Sequence, residues 1–397
     1  MTVESTVYIA SAANRSYLPY FGVMASSILE HNNSGRNICF LLLTSDICER
    51  DLAKYFGPSD RRNLNINLLD MSELYSAYQD LRFEEGFPLE TVYRLGLPMV
   101  VPDEVNRVLY LDGDLVALQD VTPLFDSDLG GRSLAAVLDI GVIGMVHGAD
   151  LPEAERLSSI GIAEPDNYFS AGVMVWDVSK VGKKLPLSVA MEWICLNKPR
   201  YCDQDCLNYF FQNDVELLDM KWNVLFDSND IRVSDIASKA PSNILNMYIN
   251  ARQHPAIFHF AGPDKPWKDA VDGSTWFWEC ARTSPAYEYV VAALGSAQAV
   301  RLLKENFDSV WKTFDDLYFR SSEAERIRHD LHVRLTDVEK QYSACLARLN
   351  EVEEALSSKD SEIASLRRQI DGLWSLRGFL RRLTSRVKVK IKSESHI

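Results

Sequence analysis

The chain has 397 residues, of which 47% are hydrophobic and 25% charged, and its formal net charge at pH 7 is −14. This length exceeds one ordinary domain, and the composition is that of a globular protein, which excludes a disordered or fibrous chain. The acidic balance argues against nucleic acid as a partner.

Localisation signals and cysteines point to the cytoplasm. No apolar run approaches the length of a transmembrane helix. The first six residues lack the basic segment of a signal peptide, so we expect none. The seven cysteines are odd in number and show no CxxC spacing, which fits reduced thiols in a cytoplasmic protein.

Strand and helix patterns alternate through the first part of the chain, and this order predicts a mainly parallel sheet covered by helices. The predicted elements are a strand at Val7–Ala10, a helix at Tyr17–Glu30, a strand at Ile38–Thr44, a helix from a cap at Asp46 to Tyr55, and a strand at Leu64–Leu69.

The central stretch is a short apolar run, Val108–Leu111, that ends in Asp112-Gly113-Asp114. The run has no polar face and predicts a strand that is buried on both sides. Residues two apart on an extended chain point the same way, so the two carboxylates converge and repel unless a cation lies between them. Gly113 leaves room for backbone or a phosphate. The pattern predicts a divalent-metal site at the carboxyl end of a central strand; a polar turn is the alternative.

Further apolar segments follow, each ending in polar residues. They are a strand at Leu134–Leu138 before Asp139, a strand at Phe169–Trp176, a helix from Cys202 with Asp203, Gln204 and Asp205 in its first turn, and a strand at Ala256–His259 before the loop Phe260–Trp267. Carboxylates in a first turn suit the helix dipole. The Gly/Pro/Trp loop with its single Lys265 either holds an anion or is a packed surface loop.

Several of these motifs, taken in order, resemble a glycosyltransferase of family 8, the family of glycogenin and of bacterial lipopolysaccharide galactosyl- and glucosyltransferases. They are TVYRLGLP (Thr91–Pro98), YLDGDLVAL, FSAGVMVW, DQDCLN (Asp203–Asn208) and HFAGPDKPW (His259–Trp267). The resemblance covers roughly residues 5–270. It implies an α/β chain with the GT-A fold, a UDP-hexose donor and transfer with retention of anomeric configuration.

The resemblance also implies roles for single residues. Asp112, Asp114 and His259 match the metal ligands, Gln204 the side chain near the anomeric carbon and Lys265 the lysine on the diphosphate. The full expectation is catalytic residues Gln204, Asp203 and Asp139, donor-binding residues Ala10, Asn14, Arg94, Asp112, Gly113, Asp114, Ser170, Gly262 and Lys265, and metal ligands Asp112, Asp114 and His259.

The chemistry of these residues agrees with that assignment. Two carboxylates and one imidazole suit Mn²⁺ (or Mg²⁺) better than Ca²⁺. The cation and Lys265 would neutralise charge on the departing diphosphate. Each residue alone has an ordinary alternative: a packed histidine at His259, an ion-pair arginine at Arg94, and helix-capping carboxylates at Asp203 and Asp205.

Two positions depart from the family pattern. Asn14-Arg15-Ser16 stands before Tyr17 where the family has Asp-Asp-Asn, so the usual carboxylate for the uracil is missing. Ser170 replaces the Asn of the family's FNAG motif. The departures concern the base and the sugar hydroxyls rather than the metal centre.

A heptad pattern begins after residue 330 and predicts a coiled coil over residues 326–373. On a single surface helix with about 3.6 residues per turn, residues repeated every seven positions would rotate away from one face within a few turns. Its members are Leu335, Val338, Tyr342, Cys345, Leu349, Val352, Leu356, Lys359, Ile363, Leu366, Ile370 and Leu373.

The last residues, 374–397, form a basic amphipathic tail. From Arg367 onward the chain has nine Lys and Arg residues against Asp371 and Glu394, a balance of nine minus two, or +7. Leucines and aromatic residues line one helical face, which suits an anionic membrane surface; a solvated charged tail is the alternative.

The sequence therefore predicts four parts: a GT-A domain over residues 1–285, a helical connector over 286–325, the coiled coil and the tail. We expect a homo-oligomeric transferase on the cytoplasmic face of a membrane, engaged in lipopolysaccharide biosynthesis with a saccharide, glycolipid or protein acceptor. The alternative is a coiled-coil adaptor whose transferase domain is inactive and binds a nucleotide sugar or a partner.

Overall fold

The structure is a computed structural model that describes residues 6–56, 65–78, 87–148, 152–225, 235–262, 264–268, 271, 273–293, 359 and 366. The chain divides into two units, residues 1–309 and 310–397, and all elements below belong to the first. The predicted coiled coil and tail lie outside the described residues except for Lys359 and Leu366, which are helical and exposed.

The described strands and helices alternate much as the sequence predicts. In chain order they are β1 (Val7–Ala12), α1 (Leu18–Glu30), β2 (Ile38–Thr44), α2 (Glu49–Tyr55), β3 (Asn65–Asp70), α3 (Leu97–Val100), β4 (Arg107–Leu111), β5 (Leu115–Ala117), α4 (Thr122–Phe125), β6 (Leu134–Leu138), α5 (Ile140–Val146), α6 (Glu153–Ser159), β7 (Phe169–Asp177), α7 (Val178–Lys184), α8 (Leu187–Asn197), α9 (Cys202–Phe211), β8 (Val215–Leu217), β9 (Val224–Leu225), α10 (Ser242–Gln253), β10 (Ile257–His259), α11 (Ser274–Thr283) and α12 (Tyr287–Ala293).

The central sheet has seven strands in the order β3-β2-β1-β4-β7-β6-β8. Strand β7 runs antiparallel to β4 and β6, while the other neighbouring pairs are parallel. The expected mainly parallel α/β sheet is therefore confirmed. The strand order reverses between β1 and β4, and open α/β sheets bind ligands beyond the carboxyl ends of strands at such a point.

A second, three-stranded sheet has the order β5-β10-β9. Strand β5 follows β4 after only three residues, and β10 pairs antiparallel with it through His259 and Leu115. This pairing carries the end of β10 back to the end of β4, although about 145 residues separate the two in sequence.

Two apolar cores flank the central sheet. One holds α1 and the second sheet, and the other holds α8, α9 and a 3₁₀ segment at Leu89–Gly96. Every residue of β2 and of β6 is buried, which accounts for their unbroken apolar sequence. Burial of apolar surface on both faces at about 25 cal/mol per Å² stabilises this arrangement.

Two details of the predicted elements need correction. Helix α2 begins at Glu49 with Cys48 as its N-cap, and Asp46 is not the cap. The reason is that the Asp46 carboxylate instead accepts the backbone N–H of Arg15 at 3.0 Å. The aromatic-rich stretch from Trp276 onward also predicts a continuous helix, and the structure interrupts it at Ser284, between α11 and α12.

Among the described residues, no helix combines the length and apolar character needed to cross a bilayer. The six described cysteines are unpaired, which agrees with the expectation of free thiols.

Candidate metal and donor site

Asp112, Asp114 and His259 form one cluster, with a ligand atom from each residue within 4.8 Å of the others. The turn after β4 supplies the two carboxylates and the end of β10 supplies the imidazole. His259 Nε2 lies 3.1 Å from Asp114 Oδ1 and 3.8 Å from Asp112 Oδ2. The two sheets thus bring together the three residues that the sequence predicts as metal ligands.

The ring of His259 is oriented by Asn223, whose Oδ1 lies 2.9 Å from Nδ1. Because an amide oxygen only accepts hydrogen bonds, Nδ1 carries a proton, and Nε2 is the nitrogen that faces the carboxylates. Metal-binding histidines usually have such a partner on the second nitrogen. Both residues are buried.

Gly172 on β7 lies directly against this cluster. Its backbone oxygen accepts the N–H of Asp112 at 2.9 Å. A Cβ added at Gly172 would lie 2.3 Å from His259 Cε1 and 2.9 Å from Asp112 Oδ2. A side chain at this position would therefore push the imidazole and the carboxylate apart, which explains a glycine inside a buried strand.

Lys265 donates hydrogen bonds to Asp114 Oδ2 and to the backbone oxygen of Phe260, the latter at 2.7 Å. Burial opposes ionisation of Asp114, but the charges of Lys265 and His259 outweigh it and hold the pKa of Asp114 well below its usual range. The carboxylate consequently stays ionised at neutral pH.

The loop that carries Lys265 is packed as well as charged. Trp267 stacks on Tyr20 of α1 with ring centroids 3.9 Å apart, and Trp278 donates to the Pro266 oxygen at 3.2 Å. Gly262 in this loop has φ +90°, a backbone conformation that favours glycine. The packed-loop alternative is therefore confirmed, and this packing fixes the position of Lys265; anion binding by the lysine stays a prediction.

Arg94 connects the cluster to α9. Its Nη2 lies 3.0 Å from Asp112 Oδ1, and its Nε lies 2.7 Å from Asp203 Oδ2. The guanidinium is buried and lies 4.5 Å from the ring centroid of Tyr110, whose hydroxyl donates to Asp112 at 3.1 Å. Burial raises the pKa of Asp203 to about 6, with a further contribution from the charge of Asp112 and an opposing one from Arg94.

Gln204 lies beside Asp139. Its Nε2 donates to Asp139 Oδ2 at 2.9 Å, and its Oε1 accepts the backbone N–H of Ala171 at 3.0 Å. Asp139 also caps α5 by accepting the N–H of Val142 at 3.0 Å. Gln204 is therefore held at both ends of its amide by residues at the same edge of the sheet.

The remaining predicted donor-binding residues lie around this centre in different settings. Ala10 is fully buried in β1, and Ser170 is buried in β7 with its Oγ accepting the N–H of Gly172 at 3.3 Å. Asn14 Oδ1 accepts hydrogen bonds from Ser16 Oγ at 2.7 Å and from Tyr17 N at 3.1 Å. Gly113 has no atom closer than Ser11 Oγ at 3.8 Å around an added Cβ.

Sequence reasoning missed several residues of the site. Asn223 is a partner of His259 and belongs to no motif, while Tyr110, a partner of Asp112, is visible only as the first residue of YLDGDLVAL. Gly172 was visible only as part of the FSAG pattern. The backbone of Cys202 has φ +44°, which is uncommon for a residue other than glycine, and this turn directs Asp203 and Gln204 into the site.

The residues present fit a divalent cation. Asp112, Asp114 and Asp203 face two cationic side chains, Arg94 and Lys265, so these five ionised groups carry three negative and two positive charges, or −1. Oxygen ligands together with one imidazole nitrogen suit Mn²⁺ or Mg²⁺.

Comparisons with known proteins agree with this geometry. The family model described as Glycosyl transferase family 8 matches residues 8–270. General stress protein A of Bacillus subtilis is 24% identical over 274 residues, which cover 67% of this chain and 89% of the relative. Lipopolysaccharide 1,3-galactosyltransferase of Salmonella typhimurium is 24% identical over 290 residues, covering 70% of this chain and 78% of the relative.

Solved structures show the same fold. The galactosyltransferase LgtC, in complex with donor and acceptor sugar analogs, is 26% identical with a TM-score of 0.58, and the match covers 70% of this chain and 96% of that one. The bifunctional glycosyltransferase WbbM matches at a TM-score of 0.63 and 24% identity, over 73% of this chain and 52% of that one. The GT-A fold expected from the sequence is thereby confirmed.

Replacing Gly172 with Ala tests the close packing of the cluster. We expect Gly172→Ala to weaken Mn²⁺ binding by at least tenfold, because the added methyl group displaces His259 and Asp112 from their common point. Isothermal titration calorimetry measures this directly. Gly113→Ala is the matched control, since the new methyl group meets open space in the same cluster; equal losses in both variants would contradict the steric explanation.

Proposed function

Because this chain belongs to glycosyl transferase family 8 and is a hexosyltransferase, we propose that it moves a hexose, glucose or galactose, from a UDP-sugar to an acceptor in a metal-dependent reaction with retention of anomeric configuration. The observation that carries this proposal is the convergence of Asp112, Asp114 and His259 beside Gln204 and Lys265 at the carboxyl ends of the strands.

Asp112, Asp114 and His259 Nε2 would hold Mn²⁺ or Mg²⁺, which when bound supplies Lewis-acid stabilisation of charge on the diphosphate. Lys265 adds a fixed positive charge in the same place, and its position is set before substrate arrives by Phe260 and the stacked Trp267. A cation that needs no rearrangement stabilises the leaving group most effectively.

Arg94 and Asp139 would orient the transferred sugar. Arg94 is held by two carboxylates and by the backbone oxygen of Ala171, so its guanidinium has a fixed position before the sugar arrives. Asp139 and Gln204 present an oxygen-rich surface, which suits the positive charge that develops on the sugar when the bond to the diphosphate breaks.

The acceptor would be a saccharide or a glycolipid. Support comes from the Salmonella relative, which is described as a lipopolysaccharide galactosyltransferase, and from a lipopolysaccharide 1,2-glucosyltransferase of Escherichia coli that is 23% identical over 262 residues. A protein acceptor is the other class that the sequence leaves open.

Changing either carboxylate of the turn tests the metal assignment. We expect Asp112→Asn and Asp114→Asn each to lower turnover of a UDP-hexose by on the order of a hundredfold, because each removes a metal ligand. The assay is release of UDP with and without Mn²⁺. Asp103→Asn, at an exposed carboxylate before β4, is the control and should retain full activity. Near-normal turnover in either variant of the turn would exclude the metal assignment.

The preferred base is a separate question, because Asn14 stands where the family has an acidic residue. Its Oδ1 is occupied by Ser16 and Tyr17, and its Nδ2 has no hydrogen-bond partner among the described residues. This amino group would donate to a carbonyl oxygen of uracil. We expect calorimetry to show tighter binding of UDP-hexose than of GDP- or ADP-sugars. A preference for a donor without uridine would show that the base pocket departs from the family.

The C-terminal region would add oligomerisation and membrane contact. We propose a parallel dimer through residues 331–373, about 65 Å long at ~1.5 Å per residue, with the basic tails docked on anionic lipid. Leu366 of the heptad seam is 50% exposed in the single chain, which leaves it available for a partner helix.

Removing residues 326–397 tests both parts of this proposal. We expect the truncated protein to be monomeric, active on a small soluble acceptor, and no longer bound to anionic vesicles. Light scattering and vesicle sedimentation measure the two properties. A variant cut after Leu373 separates them, since it keeps the seam and loses the tail; a monomeric full-length protein would contradict the coiled coil.

A further inference from the structure

A buried ionic network adjoins Gln204 through Tyr168. Its centre is Asp205, which is fully buried. Arg156 of α6 reaches both carboxylate oxygens of Asp205, with its Nη1 at 2.7 Å from Oδ2 and its Nη2 at 3.1 Å from Oδ1. The network joins α6 to the first turn of α9, the turn that also carries Asp203 and Gln204.

Further contacts fix both ends of this ion pair. Arg156 also donates to the buried Glu153 at 2.6 Å, and its guanidinium lies 5.2 Å from the ring centroid of Tyr201. Asp205 Oδ2 accepts the backbone N–H of Tyr201 at 3.0 Å. These contacts stabilise the first turn of α9, where Cys202 has a left-handed backbone conformation that is uncommon for a residue other than glycine.

Tyr168 connects the network to Gln204. Its hydroxyl donates to Asp205 Oδ1 at 2.7 Å and lies 3.4 Å from Gln204 Nε2. Burial, and then the charge of Asp205, raise the pKa of Tyr168 well above its ordinary value, so the phenol keeps its proton. Tyr168 is fully buried and was not part of any predicted motif.

The direction of these hydrogen bonds follows from the chemistry of each group. The Asp205 carboxylate, neutralised by Arg156, only accepts hydrogen bonds, so the single proton of Tyr168 points to it. The lone pairs of the phenol then face Gln204, and only the amino end of the amide suits them. Asp139, a second acceptor, lies on the same amino end at 2.9 Å.

We propose that Arg156, Asp205 and Tyr168 are positioning residues that act together with the direct contacts from Asp139 and Ala171 to hold the Gln204 amide in one orientation, so that its oxygen and not its amino group faces the transferred sugar. This inference rests on the proposed function for its kinetic consequence, but not for the orientation itself. A reversed amide would place N–H groups next to the positive charge that develops on the sugar, which opposes the reaction.

Two variants separate positioning from stability. Tyr168→Phe removes the phenolic oxygen and keeps the buried ring, while Asp205 retains Arg156 and therefore does not become an unpaired charge. Asp205→Asn is nearly isosteric and offers an amino group to Tyr168, so the phenol then donates towards Gln204 and favours the reversed amide. Tyr75→Phe is the matched control, because this fully buried phenol donates to the Val92 oxygen at 2.6 Å outside the network.

The first readout needs no substrate. Nuclear magnetic resonance of the Gln204 side-chain amide, assigned by its loss in Gln204→Ala, reports hydrogen exchange and chemical shift in the full-length protein. We expect exchange to rise at least tenfold in Tyr168→Phe, and the shift to change in Asp205→Asn. Tyr75→Phe should leave both unchanged. An unaltered amide signal in both network variants would overturn the proposal, whether or not the chain turns over a UDP-hexose.

The second readout is the division between kcat and KM. We expect Tyr168→Phe to lower kcat about tenfold and Asp205→Asn to lower it further, since small errors in the position of a reacting group are costly. KM for the UDP-sugar and the affinity for UDP should stay within about twofold, because the metal cluster is untouched. A loss of kcat in Tyr75→Phe equal to that in Tyr168→Phe, at the same melting temperature, would show a merely structural effect and overturn the proposal.

Discussion

The buried guanidinium of Arg94 is the interaction on which the rest of the site depends. It pairs with Asp112 after β4 and with Asp203 in α9, so one side chain ties the metal turn to the helix that carries Gln204. A buried arginine without such partners would be strongly destabilising, and without it the buried carboxylate of Asp203 would be repelled by the partly exposed carboxylate of Asp112. The 3₁₀ segment that carries Arg94, the turn that carries Asp112 and helix α9 with Asp203 therefore depend on one another for their positions.

Strand β7 has a comparable role in the backbone. It runs against the direction of its neighbours and so brings its amino-terminal residues, Ser170 to Gly172, to the edge where β4 and β6 end. At that edge Ala171 contacts both Arg94 and Gln204 through its peptide groups, and Gly172 leaves space for His259. A parallel strand in this place would present its carboxyl end instead and could not supply these contacts.

The sequence was sufficient for seven of the ten described strands and for most residues of the candidate site, but not for the short strands β5, β8 and β9. Strands β2 and β6 have the predicted bounds because an unbroken apolar run has only one stable place, in a sheet covered on both faces. Asp46 was misassigned as a cap because local propensity cannot anticipate a partner 31 residues away, here the backbone of Arg15. The same limit hid Arg156, which meets Asp205 across 49 residues, and Asn223, which meets His259 across 36.

The distance in sequence between the two halves of the cluster has a consequence for synthesis of the protein. Asp114 and His259 are 145 residues apart, so at roughly 5–20 residues per second their translation is separated by on the order of ten seconds. During that interval β4 and its two carboxylates exist without the imidazole, Lys265 or the second sheet. The carboxyl edge of the central sheet in the nascent chain therefore carries two carboxylates without His259 and Lys265. This state ends when β10 pairs with β5.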